Sequence, residues 1–128
     1  MLTRMRSVGT PVSNQQRALE FYTRVLGCEL VTDQPMGEGP GAPRWIEVRL
    51  PRDETRLILF TPPGQESRIG TFTNLILYCD DIQATYRELS ARGVQFPTKP
   101  ERAPWGGWWA TFKDPDGNEF GLRQEGDG

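Results

Sequence analysis

Apolar and polar positions change period twice along the chain, and each change marks an element. Residues 13–27, SNQQRALEFYTRVLG, place Ala18, Leu19, Tyr22, Val25 and Leu26 at helical spacing. Ser13 or Asn14 supplies the N-cap, and Gly27 the left-handed stop. Residues 80–93, DDIQATYRELSARG, repeat that grammar, with an aspartate cap, Ile82, Tyr86 and Leu89 on one face, and Gly93 as the stop. Aligning the two glycines gives an offset of about 66 residues, which also pairs Asn14 with Asp80 and Ala18 with Ala84. A strand-like segment precedes each helix, at 5–12 and 71–79. Three more follow it, at 29–32, 44–50 and 55–61 in the first half and at 94–96, 108–113 and 118–124 in the second. Residues 51–54 and 114–117 read as hairpin turns, the second with an Asp-Gly pair that accepts positive φ. Residues 34–43 and 97–107 read as loops, and 61–70, with Pro62, Pro63 and Gly64, as a linker. The pattern predicts two tandem βαβββ modules, about 1–62 and 70–125, in a single α+β domain spanning 1–128.

Strand alternation then predicts what each sheet turns away from its helix. Packing Val8, Thr10 and Val12 inward exposes Ser7 and Gly9 on the other face; Ile46, Val48 and Leu50 leave Trp45, Glu47 and Arg49. Ile58 and Phe60 leave Leu57 and Leu59, whereas Leu75, Leu77 and Cys79 leave Asn74, Ile76 and Tyr78. Ala110 and Phe112 leave Trp109 and Thr111, and Phe120 and Leu122 leave Gly121 and Arg123. Ligand contacts are therefore expected at Ser7, Trp45, Glu47, Leu57, Leu59, Asn74, Ile76, Tyr78, Trp105, Trp109, Thr111 and Arg123. Flat aromatics over an apolar floor with a few polar handles make the composition of a small-molecule pocket. Trp105, Trp108 and Trp109 serve equally well as core or dimer packing. Glu47 and Arg49 could equally form surface ion pairs. Glu47 is the default candidate for a general base, and Tyr78 a weaker candidate acid.

Composition narrows the chemistry. The 128 residues contain no histidine, which excludes Ser-His triads, His-containing zinc sites and the two-His-one-carboxylate iron site. Fifteen basic and 17 acidic residues are interspersed, so no basic face for nucleic acid is expected. No apolar run approaches the roughly 20 residues of a membrane span, and residues 1–11 lack the apolar core of a secretory signal. A cytoplasmic protein is expected. Cys28 and Cys79 have no CxxC spacing and read as reduced thiols. The Gly-rich stretch 37–41 has neither phosphate-loop spacing and reads as a flexible flap, with Met36 at its base.

The strings PVSNQQRALEFYTRVLGCEL, GTFTNLILYCDDIQATYRELSARGV and WGGWWATFKDPDGNEFGLRQ resemble the vicinal oxygen chelate superfamily of glyoxalases, bleomycin-resistance proteins and extradiol dioxygenases, over residues 5–124. FYTRVLG and DPDGNEFGL are the most specific pieces. The resemblance implies that each βαβββ module curls into half of a cup around a ligand, commonly with a second chain as a homodimer. Metal-dependent members hold an ion through the first and fourth strand of each module. The resemblance places those positions at Ser7, Leu59, Asn74 and Gly121, none of them histidine or carboxylate. No metal and no cofactor are expected, because such a set lacks charge and ligands for a divalent ion. The function this implies is sequestration of a flat aromatic compound, with Glu47 answering a positive charge on it, as in the bleomycin-resistance branch. The competing reading is a glyoxalase-like lyase or isomerase, or a dioxygenase-like enzyme. A third is a module whose cup is filled by its own side chains.

Overall fold

The computed structural model describes residues 1–127. Its chain divides into two compact units, the first Met1–Ile69 and the second beginning at Gly70. Each carries one four-stranded mixed sheet with a helix, the βαβββ arrangement expected of each module. In the first unit β1 (Ser7–Pro11), β2 (Glu29–Pro35), β3 (Arg44–Arg49) and β4 (Arg56–Phe60) stand in the order β1-β4-β3-β2, with β1 parallel to β4. In the second, β5 (Phe72–Cys79), β6 (Gln95–Arg102), β7 (Trp108–Lys113) and β8 (Glu119–Gln124) repeat the layout as β5-β8-β7-β6. Among the described residues no helix is long and apolar enough to cross a membrane.

From cap to stop glycine the two helical stretches differ by one residue. Helix α1 (Gln15–Glu20) is capped by Asn14, whose side chain accepts from the Arg17 amide. Helix α2 (Ile82–Ala91) is capped by Asp81, which accepts from Ala84. The caps lie 67 positions apart, whereas the stop glycines Gly27 and Gly93, both at positive φ, lie 66 apart. The extra residue is taken up by a π-helical turn, Phe21–Val25, where Leu26 N–H bonds the Phe21 carbonyl five residues back. The repeat thus pairs Asn14 with Asp81 at the caps, not with Asp80.

Beneath α1, fully buried Val12, Tyr22, Ile46, Val48 and Leu59 form the first core. Gln15 pins the helix to the sheet: its Nε2 donates to the carbonyls of Arg44 (2.6 Å) and Leu59 (2.9 Å), and its Oε1 accepts from the Arg44 amide (2.9 Å). The second core is more aromatic, with Tyr86 edge-on to Phe96 at 4.9 Å and Phe112 stacked on Phe120 at 5.4 Å.

Strand reaches into two segments expected as loops, taking only Gln34 and Pro35 of 34–43 but more than half of 97–107. Strand β2 runs on to Pro35, and β6 continues through Pro97 and Pro100 to Arg102, leaving only 103–107 as a turn. Proline lacks an N–H for the ladder, but β6 is an edge strand paired only to β7, and its register slips beside both prolines. In the turn 114–118 the Asp114 carboxylate accepts from the Asp116 and Asn118 amides and from Asn118 Nδ2, while Asn118 Oδ1 accepts from Gly70 N–H. Asp114 and Asn118 of DPDGN are buried and consumed in holding this turn.

Candidate functional site

Each sheet has a face that its helix does not cover. On the first unit, register puts Trp45, Glu47 and Arg49 of β3 on that face, opposite Ile58 of β4 and Gly9 of β1, with Ser7 beside Arg56. Glu47 lies at its centre and is only 1% exposed. Its Oε2 accepts from Arg6 Nη2 (2.9 Å) and Trp45 Nε1 (2.7 Å), and its Oε1 from Arg56 Nη1 (3.0 Å). Burial by itself pushes this carboxyl up, but the bonds from Arg6, Trp45 and Arg56 with the Arg6 charge outweigh it, so Glu47 titrates below its ordinary value. Ser7 is half-buried, and its Oγ accepts from Arg6 Nη1.

Three expectations change here. Leu57 and Leu59 lie on the helix-covered side, because Leu59 pairs with Ile46 and Leu57 with Val48; Leu59 is wholly buried. The open face instead carries Ile58 and Phe60, with the Phe60 ring laid over Gly9, where a Cβ would come within 2.8 Å of it. The segment Leu57–Phe60 is apolar at every position, so alternation holds no information about its parity. Second, a general base needs a pKa raised toward the working pH; Glu47 is shifted the other way and both its oxygens are engaged. Third, Glu47 does not present an unanswered negative charge to a cation, since two guanidiniums already share it. Arg6 and Arg56 are the residues sequence reasoning missed. With β4 in its true parity, Arg56 falls on the face of Glu47, and that opposite-charge pair on neighbouring strands was the available signal.

On the second unit, Ile76 of β5, Gly121 of β8 and Thr111 of β7 align across the open face, followed by Tyr78, Arg123 and Trp109. Of the residues expected for this half, Ile76, Tyr78, Trp109, Thr111 and Arg123 are thus aligned on one face. Ile76 and Tyr78 are more than half exposed. The Trp109 indole lies across Gly121, where an added Cβ would meet its Cη2 at 2.4 Å. Thr111 is buried, and its Oγ1 accepts from Thr98 N–H, tying down the edge strand. Trp105, in the 103–107 turn, has the Arg123 guanidinium 4.1 Å from its ring centroid. Arg123 Nε is buried without a hydrogen-bond partner. Asn74 is exposed in a register break between Phe72 and Ile76, at φ 63°, a left-handed backbone that asparagine tolerates better than most residues.

The positions equivalent to metal ligands do not fit an ion. Leu59 points into the first core, Gly121 has no side chain and is roofed by indole, and Ser7 and Asn74 offer neutral oxygens. Among the described residues no three His, Cys, Asp or Glu side chains gather as a metal site. The cysteines are unpaired, and burial pushes the Cys28 thiol up to about 11, which keeps it protonated.

Comparison with known proteins agrees with this geometry. Residues 4–122 match the family model of the Glyoxalase/Bleomycin resistance protein/Dioxygenase superfamily. The protein YetH of Bacillus subtilis (strain 168) is 33% identical over 124 residues, covering 97% of this chain and all of YetH. A crystal structure of a superfamily member from Sphaerobacter thermophilus DSM 20745 is similar at TM-score 0.86 and 36% identity, over 97% of this chain and 98% of that one. TnmS3, an antibiotic binding protein from Streptomyces sp. CB03234, is similar at TM-score 0.79 and 34% identity, over 96% of each chain.

Proposed function

We propose that this chain, which belongs to the glyoxalase/bleomycin resistance protein/dioxygenase superfamily, is a metal-independent binding protein that sequesters a flat aromatic small molecule. The observation that carries the reading is Trp109 laid over Gly121. Where metal-dependent relatives are expected to place a ligand, this chain has a residue without a side chain, and its absence lets the Trp109 indole approach the strand closely. A position for Lewis-acid chemistry has become part of an aromatic surface, which Tyr78, Ile76 and Trp105 extend with exposed apolar area. The likeness to an antibiotic-binding protein supports the same reading.

The protein works as a homodimer in the cytoplasm, without nucleic acid as a partner. Each four-stranded sheet ends on strands with one unpaired edge, which a second copy would cover, and two unpaired cysteines suit a reducing compartment. Calorimetric titration against a panel of polycyclic aromatic and glycopeptide antibiotics tests the binding. Saturable uptake of at least one polycyclic compound by metal-stripped protein is the expected result, and no uptake of any would overturn the reading. Sedimentation at micromolar concentration tests the dimer, which a strictly monomeric species would contradict.

A further inference from the structure

We infer that the open face of the first unit receives an anionic oxygen group of the ligand, held by Arg6 and Arg56; the inference rests on the binding reading above. A cleft of about 840 Å³ opens between the N-terminal segment and the turn joining β3 to β4. Its walls carry five arginines, Arg6 and Arg56 among them, and two carboxylates, Asp53 and Glu54. Glu54 is bound by Arg4 and Asp53 Oδ1 accepts from the Thr55 amide, so the walls hold more guanidiniums than carboxylates.

The centre of positive charge is the pair built on Glu47. One buried carboxylate answers two guanidiniums, so the group keeps an excess of one positive charge. Arg56 uses one Nη for Glu47, and Arg6 uses its two for Glu47 and Ser7. The Arg6 side chain is 61% exposed and that of Arg56 38%, so the rest of each planar fork stays within reach of a ligand in the cleft. Glu47 is a positioning residue: held from both sides and by the Trp45 indole, it fixes the two forks in one orientation before a ligand arrives. Trp45, 38% exposed, donates to the same Glu47 oxygen as Arg6, which sets an aromatic side chain next to this pair although it does not line the cleft. Carboxylates, sulfonates and ionised phenols attached to a ring system share that chemistry.

The test compares four isosteric probes by titration calorimetry: anthracene-2-carboxylate, anthracene-2-sulfonate, anthracene-2-carboxamide and 2-(aminomethyl)anthracene. The carboxylate and sulfonate should bind about tenfold tighter than the neutral amide, and the ammonium weaker than the amide. That preference should shrink as salt is raised from about 20 to about 500 mM. Arg6→Gln and Arg56→Gln should each reduce the carboxylate-to-amide affinity ratio about threefold or more, with carboxylate binding falling further than amide binding. A purely structural loss would instead weaken all probes alike. Equal affinity of wild type for carboxylate and amide, or a ratio that neither variant moves, overturns the inference and leaves the binding reading standing. Failure of all four probes to bind overturns both.

Discussion

The two units share one layout, and their open faces have diverged in opposite chemical directions. In the first, the centre of the sheet is a buried carboxylate gripped by two arginines and an indole N–H. In the second, the centre is a glycine covered by the Trp109 indole, and the Arg123 guanidinium of that face lies on Trp105. The same strand order therefore supports a charged anchor in one module and an aromatic shelf in the other. Among the described residues neither face gathers three side chains that could hold a metal ion. A repeated fold fixes where strands run and which side the helix covers, and the few residues on the uncovered side are left to set the chemistry.

The largest expected effects come from breaking either centre outright. Phe112→Ala opens the stacked aromatic core of the second unit and should cost about 3–5 kcal/mol in denaturant unfolding. Glu47→Ala should cost less, about 1–3 kcal/mol, because it removes the shared acceptor of two guanidiniums and an indole N–H, while the part-exposed guanidiniums can turn to water. A loss below about 1 kcal/mol for Glu47→Ala would mean the anchor contributes little to the fold.

Gly121→Ala should be similar in stability, about 1–3 kcal/mol, and sharper in function. The new methyl cannot coexist with the Trp109 ring in place, so the indole must swing away; the emission spectrum should shift and aromatic binding should fall about tenfold. Unchanged binding would remove Trp109 from the ligand surface.

Acid should act on the first unit through Glu47 and Asp33. Glu47 is lowered against the push of burial, and Asp33 is lowered first by its bond from Arg44, burial opposing. Depressed folded values stabilise above the unfolded ones and lose that stabilisation as pH falls through the folded ones, so thermal stability should drop below about pH 4.5. Glu47→Gln should remove part of that drop, and a pH profile identical to wild type would contradict it. The smallest effects belong to the helix caps. Asn14→Ala and Asp81→Ala should each cost about 1 kcal/mol, and equal losses would confirm that the π turn absorbs the extra residue without weakening the first cap.

Much of the fold was legible in the sequence, because helices with caps and glycine stops, and strands such as Phe72–Cys79 with strict alternation, state their own geometry. The open face of the second unit was legible for the same reason: Ile76, Tyr78, Trp109, Thr111 and Arg123 all fall where their parity put them. The first face was half legible. Four consecutive apolar residues, Leu57–Phe60, concealed the parity of β4, and with it the Arg56–Glu47 pair that already answers the carboxylate. The run of β6 through Pro97 and Pro100 was hidden because proline signals a break, and only the sheet order makes this strand an edge.

The measurement that tests the central claim most directly is tryptophan fluorescence of wild type and Trp109→Leu, titrated with a polycyclic aromatic ligand in chelator and again with added Mg, Mn, Ni, Zn or Fe. Saturable quenching that is the same in chelator and in metal, and is largely lost in Trp109→Leu, is the predicted result. Quenching that appears only when a metal is added would contradict the account, and would mean that Ser7, Leu59, Asn74 and Gly121 do not mark the positions that decide this protein's chemistry.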